Sequence, residues 1–119
     1  MPIGGSGTLS VSGTMNWSSG QLIGAGGVTI ASGGTLNVNG AGAKTIVTSL
    51  LTVDTGATAN WNAGPIALQS GGAIDNNGLF EIKTDDTISD AGTAGTFDNI
   101  GTLRKSTTAG TTNFTNIAL

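Results

Sequence analysis

The sequence predicts an all-β chain wound as a parallel β-solenoid (β-helix) of about five coils of ~22 residues, grouped in 44-residue pairs. Three observations predict it. The chain's two tryptophans stand in one phrase, Thr14-Met15-Asn16-Trp17 and Thr58-Ala59-Asn60-Trp61, 44 residues apart. Half that period also shows: "GTMNW" at 13–17, "GTLNV" at 34–38, "ATANW" at 57–61, "GLFEI" at 78–82 and "GTLRK" at 101–105 follow one another at steps of 21, 23, 21 and 23. Within these phrases apolar and polar residues alternate, as in a strand with one buried face. No window carries helical apolar spacing, and the Gly and Thr content would weaken a helix.

Taken in order, the chain enters its first strand by Gly7–Val11, and coils start near 13, 34, 57, 78 and 101. Between those starts lie "GVTIA" at 27–31, "LLTVD" at 50–54, "GPIAL" at 64–68 and "GTFDN" at 95–99. Segments 39–44 and 83–95 are the least regular and read as looser loops on one side. Alternation continues into "TNFTNIAL", so residues 1–119 read as a single solenoid domain with no polar cap evident at either end. A gapless shift of 44 also aligns Ile30 with Ile74, Thr52 with Thr96, and Asp54 with Asp98. Gly13, Gly20, Gly34, Gly64, Gly78 and Gly101 are expected at corners that need positive φ.

Stacking like positions gives rows. Met15, Leu36, Ala59, Phe80 and Leu103 form one inward row; Trp17, Val38, Trp61 and Ile82 form the next. Large and smaller residues alternate along the second row because stacked indoles at strand spacing would overfill a narrow core. Outward, Thr14, Thr35, Thr58 and Thr102 make a Thr row broken by Leu79. Asn16, Asn37, Asn60, Glu81 and Arg104 make a second, expected to hydrogen-bond as an amide ladder and to end in a Glu81–Arg104 ion pair.

Composition excludes several functions. Residues 1–43 contain no charged residue, and a formal charge of −3 offers no basic footprint for nucleic acid. Without Cys or His there are no disulfides, thiolate or imidazole metal sites, or the usual nucleophile–base pairs. No run approaches a membrane helix, so no membrane insertion is expected. The start lacks the pattern of a signal peptide, so the signal of an exported parent would have been removed or would lie outside this sequence. Asp54 and Asp98, two coils apart, are too distant for a glycosidase pair and read as corner residues. Asp85, Asp86 and Asp90 are a weak calcium candidate, since no calcium-repeat or EF-hand pattern surrounds them. No cofactor site is expected.

The strings "GTLNVNGAG", "ASGGTLNV", "GAIDNNGLFEI" and "GTFDNIGTLRKS" resemble the repetitive β-helical regions of large bacterial surface proteins, such as filamentous-haemagglutinin-like adhesins and autotransporter passengers. The resemblance implies an extracellular, right-handed parallel β-helix serving as a stalk or adhesive surface, and transfers no catalytic or binding residue. The expected function is a non-enzymatic structural or adhesive solenoid whose partner is itself, stacked end to end. A carbohydrate-binding adhesin acting on surface glycans is the alternative; a polysaccharide-cleaving enzyme and an ice-binding protein rank lower.

Overall fold

The computed structural model describes residues 9–23, 26–90, 95–106, 110–115 and 117–118, with backbone alone at 115, 117 and 118. Sequence expectations at 1–8, 91–94 and Leu119, and for the side chain of Ile117, lie outside this set. All regular elements among the described residues are strands, and they come in triplets. The first triplet is β1 (Leu9–Val11), β2 (Thr14–Trp17) and β3 (Gly20–Ile23). The second is β4 (Val28–Ile30), β5 (Thr35–Val38) and β6 (Lys44–Val47). The third is β7 (Leu50–Val53), β8 (Thr58–Trp61) and β9 (Ile66–Gln69). The fourth is β10 (Ala73–Asn76), β11 (Leu79–Ile82) and β12 (Thr87–Asp90). The fifth is β13 (Gly95–Asn99), β14 (Thr102–Lys105) and β15 (Asn113–Thr115), and β16 (Ile117–Ala118) follows.

Each strand pairs in parallel with the strand three places on, giving sheets β1-β4-β7-β10-β13-β16, β2-β5-β8-β11-β14 and β3-β6-β9-β12-β15. The fold is therefore a three-sided parallel β-solenoid. Steps of 23 residues link Val28, Leu51, Ile74 and Phe97. Five strand triplets enclose only four turn-to-turn intervals, so the chain makes about four turns where the sequence repeats suggested five coils.

The register corrects the 44-residue shift in two of the three sheets. Trp17, Val38 and Trp61 stack as the shift requires. In the β1 sheet, however, Ile74 aligns with Leu51 and Val28 rather than with Ile30, and Asp98 aligns with Asp75 and Thr52 rather than with Asp54. The cause is corner length. Four residues join β8 to β9 where two join β2 to β3, and two join β10 to β11 where four join β4 to β5. A slip of two leaves every side chain on its own face, so apolar alternation could not reveal it.

The glycine expectation is also partly corrected. Gly20 and Gly64 have positive φ, with Gly27, Gly33, Gly40, Gly56 and Gly71, but Gly13, Gly34, Gly78 and Gly101 do not. At Gly34, Gly78 and Gly101 the requirement is close approach. A Cβ on Gly34 would lie 2.7 Å from Val11 O and 2.9 Å from Ala31 O. One on Gly78 would collide with the carbonyls of Asp54 and Ala57, and one on Gly101 with that of Gly78.

Inward rows from the three sheets meet in one core. Leu36, Ala59 and Phe80 are fully buried along one row, and Trp17, Val38, Trp61 and Ile82 along the next. Met15 and Leu103, at the two ends of their row, are only partly buried against that core. Phe80, Phe97 and Phe114, one from each sheet, meet edge to face with centroids 5.0 and 5.5 Å apart. Full burial of each such aliphatic or aromatic side chain contributes about 1.5–3 kcal/mol, which is what short, Gly-punctuated strands need to stay ordered.

Candidate functional site

The outward face of the β2 sheet carries the ladder. Asn37 Nδ2 donates to Asn16 Oδ1 at 3.1 Å, and Asn60 Nδ2 donates to Asn37 Oδ1 at 3.1 Å. Strand pairing places Glu81 next in the row and Arg104 after it. Arg104 holds Glu81 Oε2 through Nε at 3.2 Å and a terminal nitrogen at 2.6 Å. That hydrogen bond, helped by the charges of Arg104 and Lys83, keeps the Glu81 carboxyl below its ordinary pKa against the opposing effect of burial. A second amide step runs beside it, Asn62 Nδ2 to Asn39 Oδ1 at 2.7 Å. The side chains thus repeat the backbone's register, and a one-strand slip would break all of these bonds at once.

A polar cluster that alternation could have located, and that the sequence reading missed, lies at the corners joining the β2 and β3 sheets. Lys44 opens β6 on the inward side, in phase with Ile46, and is fully buried. Its ammonium donates to Gly40 O at 2.6 Å, Gly42 O at 2.8 Å and Ala63 O at 3.1 Å. Burial lowers its pKa, and the charge of Asp86 opposes that shift. Two turns on from Lys44, Asp86 Oδ2 accepts from the Gly64 N–H and the Thr84 hydroxyl, each at 2.7 Å. Trp61 Nε1 donates to Gly64 O at 2.7 Å. The segment 39–44, expected to be a loose loop, is therefore pinned from within by its own lysine. Trp17 differs: its corner is shorter, and its buried Nε1 has no partner among the described residues.

The acidic residues separate. Asp85 pairs with Lys105 at 2.8 Å, Asp86 serves the corner just described, and Asp90 accepts from Gly95 N at 2.9 Å. Asp85 and Asp86 thus serve different partners, and Asp90 lies at the far end of β12. No cluster of three metal-ligating side chains occurs among the described residues, so the calcium candidate is not assembled. The Asp54–Asp98 equivalence gives way to a different pair: Asp75 and Asp98 are direct neighbours across β10 and β13. Burial first, then the charge and hydrogen bond of Asp98, raise the Asp75 pKa.

The inward rows also grow polar along the chain. Asn76, fully buried beside Val53, donates through Nδ2 to Asn99 Oδ1 at 2.7 Å and Thr102 O at 2.9 Å. Lys105 continues the Trp17 row but turns outward to Thr84 O at 3.0 Å, Asp85 Oδ1 at 2.8 Å and Thr112 Oγ1 at 2.6 Å. No helix among the described residues is long and apolar enough to cross a membrane.

No family model, curated protein or solved structure matches this chain. The class is accordingly defined by its own geometry: an all-β repeat protein, a parallel β-solenoid whose outer rows are side-chain ladders.

Proposed function

We propose that the chain is a non-enzymatic structural or adhesive β-solenoid of a bacterial surface or extracellular assembly, joining further copies end to end as a filament unit or part of a longer stalk. The observation that carries this reading is the state of the stack's two ends. In each sheet the first and last described strands pair on one side only: β1 and β16, β2 and β14, β3 and β15. Such edges template pairing with another chain, and a contact between unlike ends that does not close produces a filament. The resemblance to haemagglutinin-like adhesins and autotransporter passengers supports the extracellular setting.

A glycan-binding role would have to rest on the Thr and Asn rows, because Trp17, Trp61, Phe80 and Phe97 are all buried and form no stacking platform. The self-association reading is tested on the full chain by light scattering and electron microscopy across concentration. Mass that rises into end-joined particles is expected; a particle that stays monomeric at high concentration overturns it.

A further inference from the structure

Gly40, Gly42 and Ala63 belong to corners of two successive triplets, yet their carbonyl oxygens converge on one point, 2.6, 2.8 and 3.1 Å from Lys44 Nζ. A primary ammonium has three N–H donors and no acceptor, so donors and acceptors match one to one. The wall behind this point is built for the ligand's size. Gly64 has φ +85°, and a Cβ there would meet Lys44 Nζ and lie 2.5 Å from Gly42 O and 2.6 Å from Gly40 O. Gly64 is itself fixed from both sides, by its N–H to Asp86 and its carbonyl to Trp61. Asp86 also supplies the negative charge that acts on Lys44.

We propose that these three carbonyls form a pre-built receptor for a primary ammonium, filled in the native chain by Lys44, and able to take a free alkylammonium ion when the Lys44 side chain is cut back. Recognition is by N–H donors aimed at carbonyls and not by charge alone. Potassium, which prefers more oxygens than three, fits the cradle less well. Tetramethylammonium, with no N–H, does not satisfy it. The receptor lies within the solenoid wall, so its test is independent of association through the ends.

The test is thermal unfolding of the full chain carrying Lys44→Ala, in propylammonium, potassium and tetramethylammonium chlorides at equal ionic strength. The substitution is expected to lower the midpoint by on the order of 10 °C, from the loss of the ammonium's three hydrogen bonds and of the buried Lys44 stem. Propylammonium is expected to restore on the order of 5 °C, saturably, as a ligand bound only by the folded state does. Potassium should restore less and tetramethylammonium nothing. Lys44→Met, which keeps the stem and leaves no room for a guest, should fall similarly and respond alike to all three salts. Should Lys44→Ala not fold unaided, refolding in each salt is the readout, with native circular dichroism recovered in propylammonium alone. Equal responses of Lys44→Ala to the three salts, no response, or the same propylammonium gain in Lys44→Met overturns the proposal.

Discussion

Asn37 donates one amide bond and accepts another, so it is the residue on which the outer ladder turns. Asn37→Ala should cost about 1 kcal/mol, read as a lower urea midpoint with unchanged slope, since both bonds are solvent-accessible and each nets little. Two carboxyls nearby respond to pH in opposite senses. Glu81 has its pKa held below the ordinary 4.5, so the folded state binds its proton less readily than the unfolded chain. Its contribution is complete above that ordinary value and is lost as pH falls through the folded one. Asp75 has its pKa raised above 3.8, so its ionisation opposes folding; the penalty is full above the folded pKa and fades as pH falls through it. Asp98→Asn should therefore stabilise the fold at neutral pH by about 0.5 kcal/mol, a like-charge pair removed. Arg104→Ala should erase the part of the acid-side loss that belongs to Glu81. Melts from pH 7 to pH 3 check both.

At the scale of the strand and its corner, legibility divides sharply. The β2, β5, β8, β11 and β14 strands could be read residue by residue, because Trp, Asn and Thr mark phase in a way that Gly and aliphatics do not. Elsewhere the sequence shows which face a residue occupies but not which neighbour it meets. Two-residue changes at the β8–β9 and β10–β11 corners cancel around the turn, so Trp61 meets Ile82 at the same 21-residue step by which Trp17 meets Val38, while Asp98 moves from Asp54 to Asp75. The Lys44 corner was legible in part, as a charge at an inward phase; its carbonyl partners depend on loop conformation, which carries no periodic signal. Close stacking makes a sharp prediction here. Gly78→Ala should destabilise by about 1–3 kcal/mol although its φ is ordinary, because the added methyl meets the Asp54 and Ala57 carbonyls. A denaturant melt showing no loss would refute the close-approach argument. Where strain does sit, it sits at Thr48 and Ser70, stacked non-Gly residues with φ +50°, tied by Thr48 Oγ1 donating to Ser70 O at 3.1 Å.

For the whole molecule, the two faces of the stack differ. The first two triplets carry no charge before Lys44, whereas the last presents Asp98, Arg104 and Lys105 beside the exposed Asn99. A joint between unlike ends must then cover Lys105, which continues the Trp17–Val38–Trp61–Ile82 row. Lys105→Ile, extending that row in apolar form, should strengthen association, seen as a larger scattering mass at a given concentration. Thr14→Pro should weaken it. Thr35 N donates to Gly13 O and Asn39 N to Trp17 O, so by alternation Thr14 turns its backbone to the edge of β2 away from β5, where proline removes a donor and no internal bond among the described residues.

These expectations share one premise: each turn of this charge-poor, glycine-rich chain rests flat on the last, and indoles, amides and methyls line up by layer. Nuclear Overhauser spectroscopy of the labelled chain addresses it most directly. Side-chain contacts running Met15 to Leu36 to Ala59 to Phe80 to Leu103, with the Trp61 indole N–H shielded from solvent exchange, are the predicted result. Close Hα–Hα contacts of antiparallel hairpins between consecutive strands, or rapid exchange at Trp61, would contradict it.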